Sequence, residues 1–223
     1  MEVIYEDNHI IVVNKASGEI VQGDKTGDAP LSEHIKTYLK EKYNKPGNVF
    51  CGVVHRIDRP VAGLVVFAKT SKALSRLNEM LRKNELHKIY WAVVEGKPEH
   101  PEGTLECYIR SDGRINKSFK CSPDHPDAKK AILKYSTVAV GDRYSILEIK
   151  LITGRKHQIR MQLSDMGNPI KGDLKYGARR SNPDGGISLL AKHIEFIHPV
   201  SKQHISLTLP PTQEMRKILP SEL

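Results

Sequence analysis

Short apolar runs bounded by turn residues are the commonest feature of this sequence. Two pairs of runs each enclose a dipeptide typical of tight turns, which predicts two β-hairpins. The first hairpin joins residues 3–5 to 10–13, and the second joins residues 135–140 to 145–151. Single runs predict further strands at residues 63–69, 89–95, 189–197 and 204–209. The pattern therefore indicates a protein rich in antiparallel strands.

Three other segments repeat apolar residues at helical spacing, and they lie at residues 31–43, 71–83 and about 156–166. The second segment has a leucine stripe on one face and Lys72, Arg76 and Lys83 on the other. The third ends at Gly167, a residue suited to the positive φ that often follows a helix. Because helices and strands do not alternate regularly, the sequence predicts an α+β fold. We expect one domain over residues 1–223, built on a large, mixed and mainly antiparallel sheet.

The charge balance gives a first indication of the partner. Thirty-five Lys and Arg residues against 26 Asp and Glu residues give a formal charge of +9 at pH 7. Such a balance favours polyanionic partners, and nucleic acid above all. A generic basic protein has the same balance, so charge alone leaves both interpretations open.

The sequence carries no targeting, membrane or metal-binding signal. No apolar run approaches the roughly 20 residues needed to span a bilayer. The first residues lack the basic start and apolar core of a signal peptide, so we expect a cytoplasmic protein without a membrane partner. Cys51, Cys107 and Cys121 are far apart and show no metal-ligand spacing, which predicts reduced thiols and no zinc site.

One segment places a carboxylate between two cations. Residues 55–64 contain Arg56, Asp58 and Arg59 just before a predicted buried strand. Two arginines suit a carboxylate that must be held in place, or a phosphate that must be bound. A surface salt-bridge cluster has the same composition and is the alternative interpretation.

Two later segments also carry candidate functional side chains. Tyr90 lies on the predicted strand 89–95, where a tyrosine either packs in the core or stacks on a base. Gly154 allows a sharp turn from strand to helix, and Arg155 and Lys156 then stand at the helix start. Amides at a helix N-terminus beside cations make an anion site, and a basic first turn facing solvent is the alternative. The helix dipole disfavours cations at this end, which favours a functional reason for them.

Taken together, these segments resemble the motifs of RluA-type RNA pseudouridine synthases. The family patterns HRLDxxTSGLL, KxYxAxVxG and TGRxHQIR are similar to residues 55–65, 88–96 and 153–160. Further similarities to VVNKPxG, GHPIxGDxxYG and FxHP fall at residues 12–18, 167–177 and 196–199. The motifs keep the family's order across nearly the whole chain, and chance does not explain so many ordered matches.

The resemblance implies roles for particular positions. Asp58 takes the place of the catalytic aspartate, Tyr90 that of the active-site tyrosine, and Arg160 that of the arginine that pairs with the aspartate. Arg56 matches a residue that fills the gap left by the extruded nucleotide. The resemblance also implies an active-site cleft across the sheet and a reaction that uses no cofactor and no metal. RNA contacts are expected from Arg56, Arg59, Lys72, Arg76, Lys83, Arg155, Lys156 and His157.

The implied reaction isomerises specific uridines to pseudouridine in structured RNA, either ribosomal or transfer RNA. Asp58 acts as nucleophile or base, and attack on the sugar, removal of a ribose proton and attack on the uracil ring all remain open. We expect a monomer that consists of the catalytic domain alone. A catalytically inactive RNA-binding or ribosome-assembly protein of the same fold is the alternative. A metal-dependent nuclease built on His55 and Asp58 is a weaker one, because no second acidic cluster accompanies them.

Two departures from the family motifs affect loops beside these residues. Val61 and Ala62 stand where the family has Thr-Ser, so the turn after Asp58 lacks two hydroxyl groups. In the opening motif, Ala16 and Ser17 stand where the family has Pro-Ala. Neither change removes a residue with a chemical role, but both bear on the rigidity of the loops, and the first keeps the inactive alternative open.

Overall fold

A computed structural model describes residues 1–24 and 27–220 of the chain. This part of the chain contains a large sheet and four α-helices, so the predicted α+β class is confirmed. No helix in it is long and apolar enough to cross a bilayer. The helices are α1 (Leu31–Lys42), α2 (Ser71–Arg82), α3 (Gln158–Asp165) and α4 (Gln213–Arg216). The strands are β1 (Glu2–Glu6), β2 (Ile10–Lys15), β3 (Gly52–Val53), β4 (Ala62–Ala68), β5 (His87–Glu95), β6 (Glu102–Asp112), β7 (Lys117–Cys121), β8 (Lys129–Val140), β9 (Tyr144–Leu151), β10 (Leu189–Ile197) and β11 (His204–Thr208).

The chain divides into two compact units, of which unit 1 comprises Met1–Lys88 and Ala191–Leu209. Its strands follow the order β1-β2-β4-β10, with β3 beside β4 and β11 beside β10. Nearly every side chain of β2 and β4 is buried, which explains why these strands read as continuous apolar runs and do not alternate. The predicted hairpin of β1 and β2 and both predicted helices are confirmed.

Unit 2 comprises Ile89–Leu190 and Pro210–Leu223. Its strands follow the order β5-β9-β8-β6-β7, and each neighbouring pair is antiparallel. Helix α3 is buried along most of its length, and Gly167 follows its end with φ +90°, as predicted.

The sequence pattern missed part of unit 2. Strand β6 is mostly polar and its positions are exposed or half-buried along nearly all of its length, so it has no apolar run. Strand β7 is short, and β8 begins six residues before the predicted start at residue 135. Helix α4 has only four residues, too few for a periodic pattern.

Candidate active site

Asp58 lies in the loop of unit 1 that joins β3 to β4. Arg56 is exposed, Ile57 is buried and Asp58 is half-buried. The N–H of Val61 donates to the Asp58 carbonyl oxygen at 3.0 Å, which closes a tight turn before β4 begins. The carboxylate is therefore carried on a tight turn that leads directly into β4.

A buried lysine ties the opening loop of the chain to this turn. Lys15, at the end of β2, has no exposed surface. Its ammonium donates to the carbonyl oxygens of Ala16 (2.9 Å), Glu19 (2.8 Å) and Arg59 (3.0 Å), which uses all three of its donors. The N–H of Gly18 also donates to the Arg59 carbonyl at 2.9 Å. The residue next to Asp58 is thus held from two directions.

The electrostatics of Lys15 reflect this position. Burial lowers the pKa of Lys15 to about 8, while the carboxylates of Glu19 and Asp58 act to raise it. The cation therefore remains protonated at neutral pH and contributes positive charge beside the Asp58 turn.

The strand that follows the turn fits closely against its neighbour within unit 1. A Cβ atom on Gly63 would lie only 2.4 Å from the carbonyl oxygen of Ala191 on β10, and Gly63 has φ +124°. Only glycine satisfies both conditions. Gly63 therefore allows β4 to lie close to β10, directly after the turn that carries Asp58.

His55 holds the other side of the same loop. Its Nε2 accepts a hydrogen bond from the N–H of Val66 at 3.2 Å inside the core. Burial, and secondarily the charge of Lys88, keeps the pKa of His55 well below its usual value. The neutral ring is what the Val66 bond requires, because only an unprotonated ring nitrogen accepts. His55 thus acts as a structural support of this loop. Among the described residues, no cluster of three His, Cys, Asp or Glu side chains able to hold a metal ion is found.

Arg59 joins the opening loop by its side chain as well as by its carbonyl. Its Nε donates to the Gly18 carbonyl at 3.0 Å, and its Nη2 pairs with the exposed carboxylate of Asp28. Arg59 therefore has an intramolecular role in addition to the predicted contact with RNA.

Tyr90 lies on β5 in unit 2, opposite Ile149 of β9. Its side chain is buried, as are those of Ala92 and Val94 on the same face of the strand. Val93, on the opposite face, is buried as well, so both faces of β5 are covered at these positions.

Arg160 of unit 2 is held by a carboxylate that the sequence interpretation had not assigned. Its Nε donates to Oδ2 of Asp173 at 2.6 Å and its Nη2 donates to Oδ1 at 2.8 Å. Both side chains are almost fully buried, with 6% and 1% of their surface exposed. This fork-to-fork geometry fixes the plane of the guanidinium. Arg160 is therefore preoriented and not part of a solvated basic turn.

An aromatic ring completes the surroundings of Arg160. The Cζ atom of Arg160 lies 5.0 Å from the ring centroid of Tyr176, within cation–π range. The Tyr176 hydroxyl accepts from the N–H of Ser118 at 2.8 Å and lies 2.9 Å from Nδ1 of His157. His157 is itself buried and has φ +53°. The structure thus places His157 in a buried network, whereas the sequence interpretation assigned it to RNA contact.

The turn before α3 is held by hydrogen bonds from Gln158. Its Oε1 accepts from the N–H of Arg155 and from the Thr153 hydroxyl, both at 2.9 Å. The Arg155 amide is therefore satisfied within the chain and is not free to contribute to the anion site predicted at this turn. The side chains of Arg155 and Lys156 are both exposed.

The predicted basic face of α2 lies in unit 1. Arg76 donates to the carbonyl oxygen of Pro199 at 2.7 Å and is only half-exposed. Lys83 pairs with Glu79 at 2.8 Å on the surface, and Lys72 is exposed. Two of the three cations on this face therefore already have partners in the protein.

Three supporting residues were missed as site residues although they stand in the matched motifs. They are Lys15 in the opening motif and Asp173 and Tyr176 in the segment 167–177. Their presence in those motifs was the available signal, but their partners are distant in the sequence. The resemblance gave candidate reacting groups and the pairing of Arg160 with the aspartate, but it did not give roles to these three residues.

Comparisons with known proteins agree with these features. The family model described as RNA pseudouridylate synthase matches residues 9–165. The uncharacterized RNA pseudouridine synthase YlyB of Bacillus subtilis is 30% identical over 222 residues, which cover 98% of this chain and 72% of that protein. Ribosomal large subunit pseudouridine synthase D of Xanthomonas campestris is 29% identical over 244 residues, with 98% and 68% covered. The solved structure of human RNA pseudouridylate synthase domain containing 4 superposes with a TM-score of 0.79 at 21% identity, covering 96% of this chain and 90% of that one.

The pseudouridine synthase fold and the Asp58 motif thus define the class of protein. The chain belongs to the RNA pseudouridylate synthase family, within its RluA-type branch. Its activity is that of the family, the isomerisation of uridine to pseudouridine in RNA.

Proposed function

We propose that Asp58 is the nucleophile or base of this isomerisation and that Arg160 and Tyr90 complete the catalytic set. The observation that carries the proposal is the support given to Asp58. A buried cation, a tight turn and a glycine-dependent strand contact all fix the backbone around one half-buried carboxylate. Such preorganisation is typical of reacting groups.

The chemistry needs no external reactant. The bond between N1 of uracil and C1′ of ribose breaks, and a bond between C5 and C1′ forms. C5 loses its proton, and N1 gains one. Asp58 acts as nucleophile or base in breaking the bond between N1 and C1′. Tyr90 packs against the base and assists removal of the C5 proton.

Arg160 acts on the Asp58 carboxylate and not on the uracil base. A fixed guanidinium stabilises and orients an anionic partner without reorganising during the reaction. The buried pair with Asp173 keeps Arg160 in one orientation, which supports this role. No step in this scheme uses a metal ion or a nucleotide cofactor.

We further propose ribosomal RNA as the substrate, with the protein acting as a cytoplasmic monomer. Relatives that are 29% and 28% identical to this chain carry the name ribosomal large subunit pseudouridine synthase D. The formal charge of +9 suits binding to a structured RNA.

Release of tritium from ribosomal RNA labelled at C5 of uridine, measured with a chelator present, tests the chemistry. The wild type should release tritium, and Asp58→Asn should lower turnover by a factor of about 10⁴ or more while RNA binding persists. Asp142→Asn is the matched control, because Asp142 is exposed in a hairpin turn. Residual turnover of more than a percent or so in Asp58→Asn would assign the chemistry to another group. A wild type that binds RNA without turnover would favour a non-catalytic RNA-binding protein.

A further inference from the structure

Two cavities in the described part of unit 2 differ in the charge of the side chains that line them. The first, of about 330 Å³, is lined by side chains of β6 and β8 and by the turn before α3. Lys129, Arg155 and Lys156 line it with one acid, Asp127, so its formal charge is +2. The second, of about 440 Å³, is lined by two lysines and two glutamates and is neutral.

The wall of the first cavity is held in place by hydrogen bonds within the protein. The Ser118 hydroxyl donates to the Lys156 carbonyl at 2.7 Å, so the Ser111 hydroxyl, 3.0 Å away, must donate to Ser118. Arg155 Nε donates to the Lys130 carbonyl at 3.0 Å, which restrains the guanidinium at the edge of β8. The cationic turn is thus fastened to strands on both sides.

We propose that this cavity, lined by Lys129, Arg155 and Lys156, binds a phosphodiester group of the substrate RNA. The proposal rests on the proposed function, since it takes RNA as the substrate. Three cations against one acid attract an anion, and Arg and Lys are the side chains that bind phosphate best. Lys129 extends the predicted contacts of Arg155 and Lys156 to a second element, β8.

Matched pairs of lysine substitutions provide the test. The double variant Lys129→Gln/Lys156→Gln removes two charges from the first cavity and leaves the Arg155 hydrogen bond to Lys130 in place. The control Lys134→Gln/Lys150→Gln removes two charges from the neutral cavity. Each is placed in the Asp58→Asn background, and binding to a fluorescein-labelled ribosomal RNA stem–loop is measured at several salt concentrations. All four lysines are exposed, so thermal unfolding should match the background protein.

The slope of log affinity against log salt should become flatter by roughly 0.7–0.9 for each phosphate that the first variant no longer neutralises. The control should keep the slope of the background protein. Equal slopes in the two double variants would overturn the proposal. In the otherwise wild-type enzyme, the first variant should raise KM and leave kcat unchanged.

A charge change of the opposite sign makes the test directional. Asp127→Asn removes the one acid that lines the cavity, so it should tighten RNA binding roughly two- to fivefold at low salt because a like-charge repulsion is removed. A purely structural role for Asp127 would not produce a gain. Unchanged or weaker binding would overturn the proposal.

The binding and turnover assays separate this inference from the proposed function. If the wild type releases no tritium, or Asp58→Asn still releases it, but the slopes differ as expected, the proposed function fails and the phosphate site stands. If tritium release is normal and the two double variants bind alike, the phosphate site fails and the chemistry stands.

Discussion

The turn that carries Asp58 and the helix that carries Arg160 are supported in different ways. Around Asp58 the contacts are made largely with the backbone: three carbonyl oxygens converge on Lys15, and an N–H closes the turn. Around Arg160 the contacts are made by the side chains of Asp173 and Tyr176. Backbone groups are the same in almost every residue, so the residues that supply these carbonyl and N–H groups tolerate substitution, whereas Lys15, Asp173 and Tyr176 act through their own side chains.

This contrast explains the departures from the family motifs. Val61 contributes its N–H to the Asp58 turn, which any residue except proline provides, so the loss of a hydroxyl at this position leaves the turn closed. The N–H of Ala16 donates to the Glu19 carboxylate at 2.7 Å, a bond that proline cannot make. The opening loop thus gains a hydrogen bond where it loses the rigidity of the family's proline.

The largest effect is expected where support depends on one side chain. Asp173→Asn leaves the Arg160 charge without its buried carboxylate partner, which should lower the free energy of unfolding by about 3–5 kcal/mol. The misplaced guanidinium should reduce kcat roughly 100-fold. Denaturant unfolding and tritium release measure the two effects.

Asp165→Asn is the control for this change, because Asp165 lies on α3, the helix of Arg160, and pairs with Lys120 on the surface. It should change stability by about 1 kcal/mol or less. Similar losses of stability in the two variants would show that the buried pair of Arg160 and Asp173 stabilises the protein no more than a surface ion pair.

The next effect concerns the backbone contact beside Asp58. Gly63→Ala should cost about 3–4 kcal/mol, because the new Cβ meets the Ala191 backbone and φ is +124°. Gly47→Ala is the control, since φ is +79° there and no atom lies within 4 Å of the new Cβ. It should cost only about 1–2 kcal/mol. A cost no larger for Gly63→Ala than for the control would mean that β4 can move away from β10 freely.

The sequence indicated candidate reacting groups but not the residues that support them. Asp58 could be placed because its motif is continuous and lies directly before an apolar run. Lys15 could not, because a lysine at the end of a strand ordinarily faces solvent, and its burial depends on a carbonyl 44 positions away. Asp173 pairs with Arg160 across 13 positions and a change of element. Strands β6 and β7 were missed for a related reason, since they have few apolar residues and their places in the sheet are set by pairing with each other and with β8.

A smaller loss is expected when the central cation of the Asp58 turn is removed. Lys15→Met leaves three carbonyl oxygens without their donor, but it also relieves the cost of burying a charge. The two effects offset each other in part, so we expect a net loss of about 2–3 kcal/mol and a lower kcat. Lys36→Met is the control, because Lys36 pairs with Glu33 on the surface of α1. A stable Lys15→Met variant with full turnover would show that the turn holds Asp58 without help.

The smallest effect is a pH dependence at the start of the same loop. The pKa of His55 is well below 6.5 in the folded protein, and unfolding restores it to the usual value. Between these two values the unfolded chain binds one more proton, so this histidine makes stability fall as pH drops below about 6.5. The contribution of His55 to the slope of unfolding free energy against pH is at most about 1.4 kcal/mol per pH unit. His55→Gln keeps an acceptor for the Val66 N–H and cannot titrate, so its unfolding free energy should fall less steeply between pH 6.5 and 5. His34→Gln, an exposed position on α1, should keep the wild-type slope. If His55→Gln and the wild type lose stability in parallel, the neutral ring does not couple this loop to pH.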